Sequence, residues 1–321
     1  MSSAEASRLL RFRGHAYFRQ RLILATLAGR PVRIDQIRPD DEEPGLRDFE
    51  VSFLRLLEKI TNGSAVEISY TGTSVYFQPG IVYGGSIVHE CPTSRGVGYF
   101  LEYMVIIAPF AKQEVALTLR GITNGHGDLG ADTIRTVTIP HLALCLPLDS
   151  VSMLASSLEM RIVKRGAAPL GGGEIFFRAP LIATLRPLNF VEPGRIRKIR
   201  GIASAVRVSP QMSNRMIDAA RSVLNRYIPD LYLFSDVYRG DESGKSPGFA
   251  MSLVATSTTG AMHASETTSL PGQTPEDVGL LTARSLLASI ESGGCVDAMH
   301  QPLILILMAL GPEDVARCRL G

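Results

Sequence analysis

Apolar residues recur along this chain at two spacings, and the switch from one to the other predicts its elements. Phe49, Phe53, Leu56, Leu57 and Ile60 share one helical face after the opening Pro44-Gly45-Leu46, and Asn62-Gly63 ends that helix. Residues 17–28 carry a second helical pattern that stops at Gly29, a residue suited to a left-handed C-cap. Over residues 31–38, Val32, Ile34 and Ile37 alternate with polar positions, which predicts a strand. Short strands follow at 65–70 and 74–78, joined by Thr71-Gly72-Thr73. Residues 1–8 are small and polar and are expected to fray.

The same order then recurs. A helix at 96–108 precedes a strand at 114–120, and a helix at 132–143 precedes strands at 159–165 and 174–178. Glycines close each round: Gly84-Gly85, then Gly125 and Gly127, then Gly171, Gly172 and Gly173. The period is too loose for a solenoid and predicts similar helix-and-sheet units side by side. From about residue 184 to 275 the character changes. Pro187 and Pro193-Gly194 mark an entry, and a basic strand spans 195–200. A helix at 209–227 has Pro210 in its first turn and Met212, Met216, Ile217, Ala220, Val223 and Leu224 on its apolar face. Strands at 230–236, 248–256 and 261–266 complete a second unit, and a helix at 274–289 is expected to resume the first pattern. The fold class is therefore α/β (α+β), with a large domain over 1–183 and 276–321 and a smaller α/β domain inserted at 184–275.

Composition changes this picture little. The 321 residues are 45% hydrophobic and 20% charged, an ordinary globular balance. A net charge of +2 excludes a nucleic-acid binder working through bulk charge, so any RNA surface must come from local clustering. Cys91, Cys145, Cys295 and Cys318 are scattered without zinc-ligand spacing, and no secretory leader is visible, which points to free thiols in a reducing compartment. The apolar run at 303–310 is too short to span a bilayer and reads as core.

Several stretches invite a chemical reading, each with a plainer alternative. The cluster Gly171, Gly172, Gly173 after Pro169 exposes successive peptide N–H groups that could cradle an anion, but such clusters more often make tight loops between strands. Arg195, Arg197, Lys198 and Arg200 lie on one strand, where alternation puts Arg195 and Arg197 on one face and Lys198 and Arg200 on the other. That pattern suits either a solvated edge or contact with RNA or an acidic partner. Ser243-Gly244-Lys245-Ser246 lacks P-loop spacing, and Pro247-Gly248 stops the helix a P-loop needs. His89, Glu90 and Cys91 are adjacent, so they cannot face one metal ion from a strand. His300 reads as a structural histidine on a helix interrupted by Pro302, with no base nearby in sequence. No motif here calls for a metal or a cofactor.

The run Arg165-Gly166, Pro169, Gly171-Gly172-Gly173 and Ile175 closely resembles the signature of the RNA 3′-terminal phosphate cyclase family. Pro44-Gly45-Leu46-Arg47, Gln78-Pro79-Gly80 with Gly84-Gly85, and Leu119-Arg120-Gly121-Ile122-Thr123-Asn124 extend the resemblance over nearly the whole chain. The resemblance implies three repeated helix-plus-sheet units with a smaller α/β domain inserted in the third. It implies that Arg19, Arg38 and Arg47 match arginines of the family pattern, where guanidinium forks suit phosphate oxygens. With the Gly171, Gly172, Gly173 loop they would form an anion or RNA-phosphate pocket; the plainer reading is pairing with neighbouring carboxylates.

Cyclases of the family use a C-terminal histidine that accepts AMP from ATP and passes it to an RNA 3′-phosphate. This chain departs from that pattern. The family's Glu-Gly-Gly-Gly-Gln loop corresponds to residues 12–16, which keep only Gly14. Glu50 stands where a histidine is expected, and Val296-Asp297-Ala298-Met299-His300 lacks the carboxylates that follow Asp297's counterpart. The nucleophile segment of the family would fall past Gly321. Asn62-Gly63-Ser64, Tyr83-Gly84-Gly85-Ser86, Arg207-Val208-Ser209-Pro210-Gln211-Met212 and Gly293-Gly294-Cys295-Val296-Asp297 are similar instead to the cyclase-like branch of the family. That likeness implies a nucleolar factor for small-subunit ribosomal RNA maturation, without cyclase activity. It would bind a ribosome-biogenesis GTPase, contact pre-ribosomal RNA and sit as a monomer within a large assembly. An endonuclease acting on pre-ribosomal RNA is the alternative, and an active cyclase is a third reading.

Overall fold

The computed structural model describes residues 9–147 and 158–321, so the fraying expected of residues 1–8 lies outside it. β1 (Leu10–Arg13) leads through α1 (Phe18–Ala28) to β2 (Val32–Asp35), which lies parallel to β1. Gly29 closes α1 at φ 63°, as its sequence predicts. α2 (Asp48–Ile60) follows, with Phe53, Leu56, Leu57 and Ile60 buried on the expected face. β3 (Thr61–Asn62), β4 (Ala65–Ile68), β5 (Val75–Gln78) and β6 (Ile81–Val82) complete the first unit. Its sheet runs β1-β2-β5-β4, one parallel pair followed by two antiparallel ones.

β7 (Gly85–Glu90), α3 (Val97–Ile107) and β8 (Val115–Gly121) repeat the parallel crossover. α4 then begins at Ala131–Thr133, passes through π turns at Ile134–Thr138 and ends over Ile139–Leu144. Pro140 explains the irregularity: it has no N–H to return to the carbonyl one turn back, and its ring crowds that turn. β9 (Glu159–Lys164) and β10 (Gly173–Ala179) close a sheet in the order β7-β8-β10-β9, with the same parallel-then-antiparallel pattern as the first. The hydrophobic pattern omits β1 and β7: β1 alternates Leu10 and Phe12 with arginines over four residues only, and in β7 the polar Ser86, His89 and Glu90 surround a single apolar pair.

β11 (Asn189–Phe190) enters the remaining part of the chain. β12 (Ile196–Val206), α5 (Pro210–Leu224), β13 (Leu231–Tyr238), β14 (Gly248–Ser257), β15 (Met262–Thr268) and α6 (Pro275–Ser292) follow, then α7 (Gln301–Leu310) and β16 (Arg317–Cys318). β16 returns parallel to β11. Between them, β12 to β15 form a sheet in the order β13-β12-β14-β15, with α5 and α6 packed on one face.

Three expectations need correction. The basic strand does not stop at residue 200 but runs to Val206, since Gly201, Ala203 and Ala205 keep one face thin beneath the helices. The helix after residue 274 does not resume the first pattern. Its Val278, Ala283 and Leu286 share a core with Met216, Ala220 and Leu253, and Gly279 lies so close to α5 that a Cβ there would sit 2.4 Å from the Met216 carbonyl. Pro302 does not interrupt α7 but occupies its first turn, where a missing N–H costs nothing. The apolar run beyond it buries Leu303, Ile304 and Leu307 against the main core, as read from the sequence. No helix among the described residues is long and apolar enough to cross a membrane.

Candidate functional site

Between the first two units and the insert lies a cleft of about 540 Å³. Arg19 of α1 and Glu102 of α3 form one wall, the loop at His126–Leu129 a second, and Glu266 with Gln273 and Leu281 the third. Arg19 is held rigidly. Its Nη1 donates to the Tyr99 carbonyl at 2.6 Å and to Glu102 Oε2 at 3.0 Å, and its guanidinium carbon sits 4.1 Å from the Tyr99 ring centre. Burial raises the Glu102 carboxyl above its ordinary range, and Arg19 counteracts part of that rise.

Tyr99 gathers a second arginine that the sequence reading did not single out. Arg95 lies 4.7 Å from the same ring, and its Nε donates to Asp128 Oδ2 at 2.9 Å. Asp128 also accepts the Gly96 N–H at 2.8 Å, so this ion pair fixes the cleft's loop to the start of α3. A basic residue just before a glycine N-cap, with an acidic residue in the next glycine-rich loop, was the available signal. It is too common to stand out.

Arg38 and Arg47 meet at Glu50, outside the cleft lining. Arg38 forks onto Glu50 through Nη1 at 2.8 Å and Nη2 at 2.9 Å, and Arg47 gives Glu50 its backbone N–H at 2.8 Å as the helix N-cap. The Arg47 side chain reaches Asp41 and Glu43 at 3.1 and 3.0 Å. The Glu50 hydrogen bond raises the Arg38 guanidinium above its usual value, with burial working against it. Of Arg19, Arg38, Arg47 and the three glycines, only Arg19 lines the cleft. Each of these arginines and Arg95 already has a carboxylate.

The glycine loop has a different occupation. Gly171 accepts the Lys245 N–H at 2.8 Å, Leu170 N–H donates to Ser246 Oγ at 3.0 Å, and Gly244 N–H donates to the Arg165 carbonyl at 2.5 Å. A Cβ on Gly244 would lie 2.2 Å from the Gly171 oxygen, and one on Gly166 would lie 2.3 Å from the Gly173 nitrogen. These glycines allow backbones to touch. The Ser243–Ser246 stretch covers them; it is not a hairpin loop, because it links β13 to β14, which flank β12 and do not pair.

Arg165 is 1% exposed and joins the units. Nη1 and Nη2 grip Asp132 at 2.7 and 2.8 Å, while Nε and Nη2 donate to Asp236 at 2.9 and 2.7 Å. Burial alone would lower its basicity, but the two carboxylates reverse this and raise it. Glu266, at the end of β15, accepts the Gly130 N–H at 2.8 Å and the Thr133 hydroxyl at 2.5 Å. It therefore supplies negative charge to the start of α4 from the insert.

His89 lies buried on β7 with Nε2 2.8 Å from Ser52 Oγ, and burial pushes it down to about 4. Glu90 points away to Arg120 at 3.0 Å, as alternation requires. His300 has a carboxylate neighbour after all: Nδ1 sits 2.8 Å from Asp297 Oδ1, and Nε2 sits 2.9 Å from Thr138 Oγ1. Asp297 also accepts the Ala264 N–H at 3.0 Å, which makes the pair a structural tie. Among the described residues no group of three or more His, Cys, Asp or Glu is placed to hold a metal ion.

Lys198 and Arg200 take one face of β12 and line a second cleft of about 640 Å³ together with Phe234. Arg197 is exposed at a register shift between Ile196 and Lys198, and Arg195 pairs through its backbone with Thr258.

With this geometry in hand, comparison with known proteins is direct. A family profile described as RNA 3′-terminal phosphate cyclase matches residues 10–320, and the chain belongs to that family. It is 48% identical over 323 residues to the RNA 3′-terminal phosphate cyclase-like protein of Bos taurus, covering 99% of this chain and 85% of that one. It is 50% identical over 314 residues to an rRNA processing protein of Schizosaccharomyces pombe, covering 98% and 85%. An rRNA processing protein of Saccharomyces cerevisiae is 40% identical over 321 residues, covering 99% and 85%.

Proposed function

We propose that this chain is a non-catalytic processing factor for small-subunit ribosomal RNA. It works in the nucleolus by binding a ribosome-biogenesis GTPase and pre-ribosomal RNA. The observation that carries this reading is the state of the arginines around Tyr99. Arg19 sits on Glu102, Arg38 on Glu50 and Arg95 on Asp128. A site that holds a triphosphate needs cationic forks turned toward the ligand. Here each fork already has an internal anion, and Glu266 adds a further carboxylate to the cleft itself. Such walls favour neutral or hydrogen-bonding contacts over a nucleotide polyphosphate. The similarity to relatives called rRNA processing proteins supports the same reading.

The test incubates the protein with ATP, magnesium and an RNA bearing a 3′-phosphate, followed by intact mass. No AMP adduct is expected from folded protein, and a stoichiometric adduct would overturn the non-catalytic assignment. Depletion in cells tests the biological half. Small-subunit ribosomal RNA should fall while large-subunit RNA is spared, and an unchanged ratio would exclude the processing role.

A further inference from the structure

The sheet of the insert has two unlike faces. α5 and α6 cover one, where Ile199, Ala203, Leu233 and Leu253 are buried. On the other, the strand register sets Arg200 beside Tyr232 and Ile202 beside Phe234, with Lys198 one step further along β12. Tyr232 and Phe234 are 55% and 49% exposed, on the edge strand, with ring centres 4.3 Å apart in an edge-to-face arrangement. An exposed aromatic pair on an otherwise well-buried sheet is costly to keep in water without a partner.

We propose that this face is a binding platform for single-stranded RNA, with Phe234 stacking on a base and Lys198 and Arg200 contacting the phosphates beside it. This rests on the RNA contact included in the proposed function and assigns it a place. The chemistry of the face selects the occupant. The lining is mixed, with Phe234 and Tyr238, the apolar Ile202, Val254 and Met262, and the cations Lys198, Arg200 and Arg135. An apolar partner helix would leave those cations facing it without anions, whereas RNA offers bases to the rings and phosphates to the cations. A ring flanked by cations and hydrogen-bonding side chains is how proteins hold unpaired bases.

The charge balance agrees. Asp236, the acidic residue in the lining, is committed to Arg165 at 2.7 Å. Arg200 meets Asp230 at 2.8 Å, but both side chains are about half exposed, at 40% and 50%, and water screens such a pair enough for a phosphate to displace the carboxylate. Arg135 enters from the π turns of α4 on the opposite wall. Its Nη2 lies 3.3 Å from Asp132, but the side chain is 39% exposed, so this long pair is partly screened as well. The bases must be unpaired, because a duplex leaves no ring face free to stack.

Fluorescence anisotropy of the full chain with labelled single-stranded RNA ten-mers tests this, with thermal unfolding run on every variant. Phe234→Ala should weaken binding about tenfold, within the usual range for losing one stacked base. Phe234→Tyr should restore it. Joint Lys198→Ala and Arg200→Ala should reduce the slope of log affinity against log salt by roughly 1.4, about 0.7 for each phosphate contact on a single strand. A duplex of the same sequence should bind at least tenfold more weakly. If wild-type protein binds RNA but Phe234→Ala stays within twofold of it, the platform is wrong and the RNA contact lies elsewhere. If an acidic peptide competes better than RNA, the face belongs to a protein partner. If wild-type protein binds no RNA at all, both the platform and the RNA contact fail, while the depletion experiment still decides the processing role.

Discussion

Arg165 shows how a family signature can be structural at the residue where it begins. Its guanidinium is shared between Asp132 and Asp236, and nothing but protein surrounds it. Removing the cation leaves a buried carboxylate at Asp132 without its main partner, the case in which a buried ion pair matters most. Arg165→Met should cost about 3–5 kcal/mol in denaturant unfolding. Arg165→Lys should recover only part of that, since an ammonium lacks the planar fork that grips both Asp132 oxygens through two nitrogens while reaching Asp236. A loss under 1 kcal/mol for the methionine variant would mean that solvent reaches Asp132. His141 gives a second test at this scale. It is fully buried with its ring 5.3 Å from that of His300, and burial foremost, then His300, pushes it down to about 3. The unfolded chain takes up this proton near pH 6.5 and the folded chain resists it to about 3, so the site's contribution is complete above pH 6.5 and is lost as pH falls. Each pH unit below about 6 should remove about 1.4 kcal/mol through this group. His89 is depressed in the same direction and adds to the fall. His141→Asn should flatten the stability profile between pH 6 and 4, and an unchanged slope would show that His141 is already charged in the folded protein.

Among elements, what the sequence made legible and what it hid divide along a physical line. Helices with one apolar face, α2 and α5, were readable, while α1 was marked by its Gly29 cap and α3 by an apolar run that is buried on nearly every side. Local sequence decides such elements. The partner of α6 was hidden, because whether Val278 and Leu286 bury against the insert or the main core depends on α5, more than fifty residues away. The arginines followed the same rule. The family resemblance picked out Arg19, Arg38 and Arg47, but Glu102, far along the chain, decides what Arg19 can still bind. The glycine loop was located correctly, while its neighbours at Gly121 and Gly244 are matters of tertiary contact. At this scale Gly279→Leu should separate α5 from α6. Its Cβ alone would fall 2.4 Å from the Met216 carbonyl, so overpacking should cost about 1–3 kcal/mol or more, measured by thermal unfolding. Ala at exposed Gly272 is a poor control because its φ of 86° is strained for any side chain, whereas Ser222→Ala on the exposed side of α5 should stay within about 0.5 kcal/mol.

For the whole molecule the decisive question is how the insert is held against the units that precede it. Polar ties cross between them at several places, including Arg165 to Asp236, Glu266 to the start of α4, Thr133 to Ser252, and the Gly171 loop to Lys245 and Ser246. Apolar contact adds less, since the cluster joining α4 to the sheet contains Val137, Val254 and Ala264 with Met262 and Met299 packed around it. The main core and the insert's core are otherwise separate sets of residues. A joint held mostly by polar ties should uncouple before either core melts. Combining Asp236→Asn with Glu266→Gln weakens two ties without opening a cavity in either core. The double variant should broaden the unfolding transition or split it in two, whereas the wild type should melt in one step. The cleft beside Arg19 and the basic face of β12 would then change together, because α4 borders the second through Arg135 and receives Glu266 of the first. RNA affinity should therefore fall in the double variant even though neither residue stacks on a base, and its salt dependence should stay near that of the wild type. If unfolding remains a single sharp step, the small apolar cluster suffices to join the parts, and the polar ties set their orientation without holding them together.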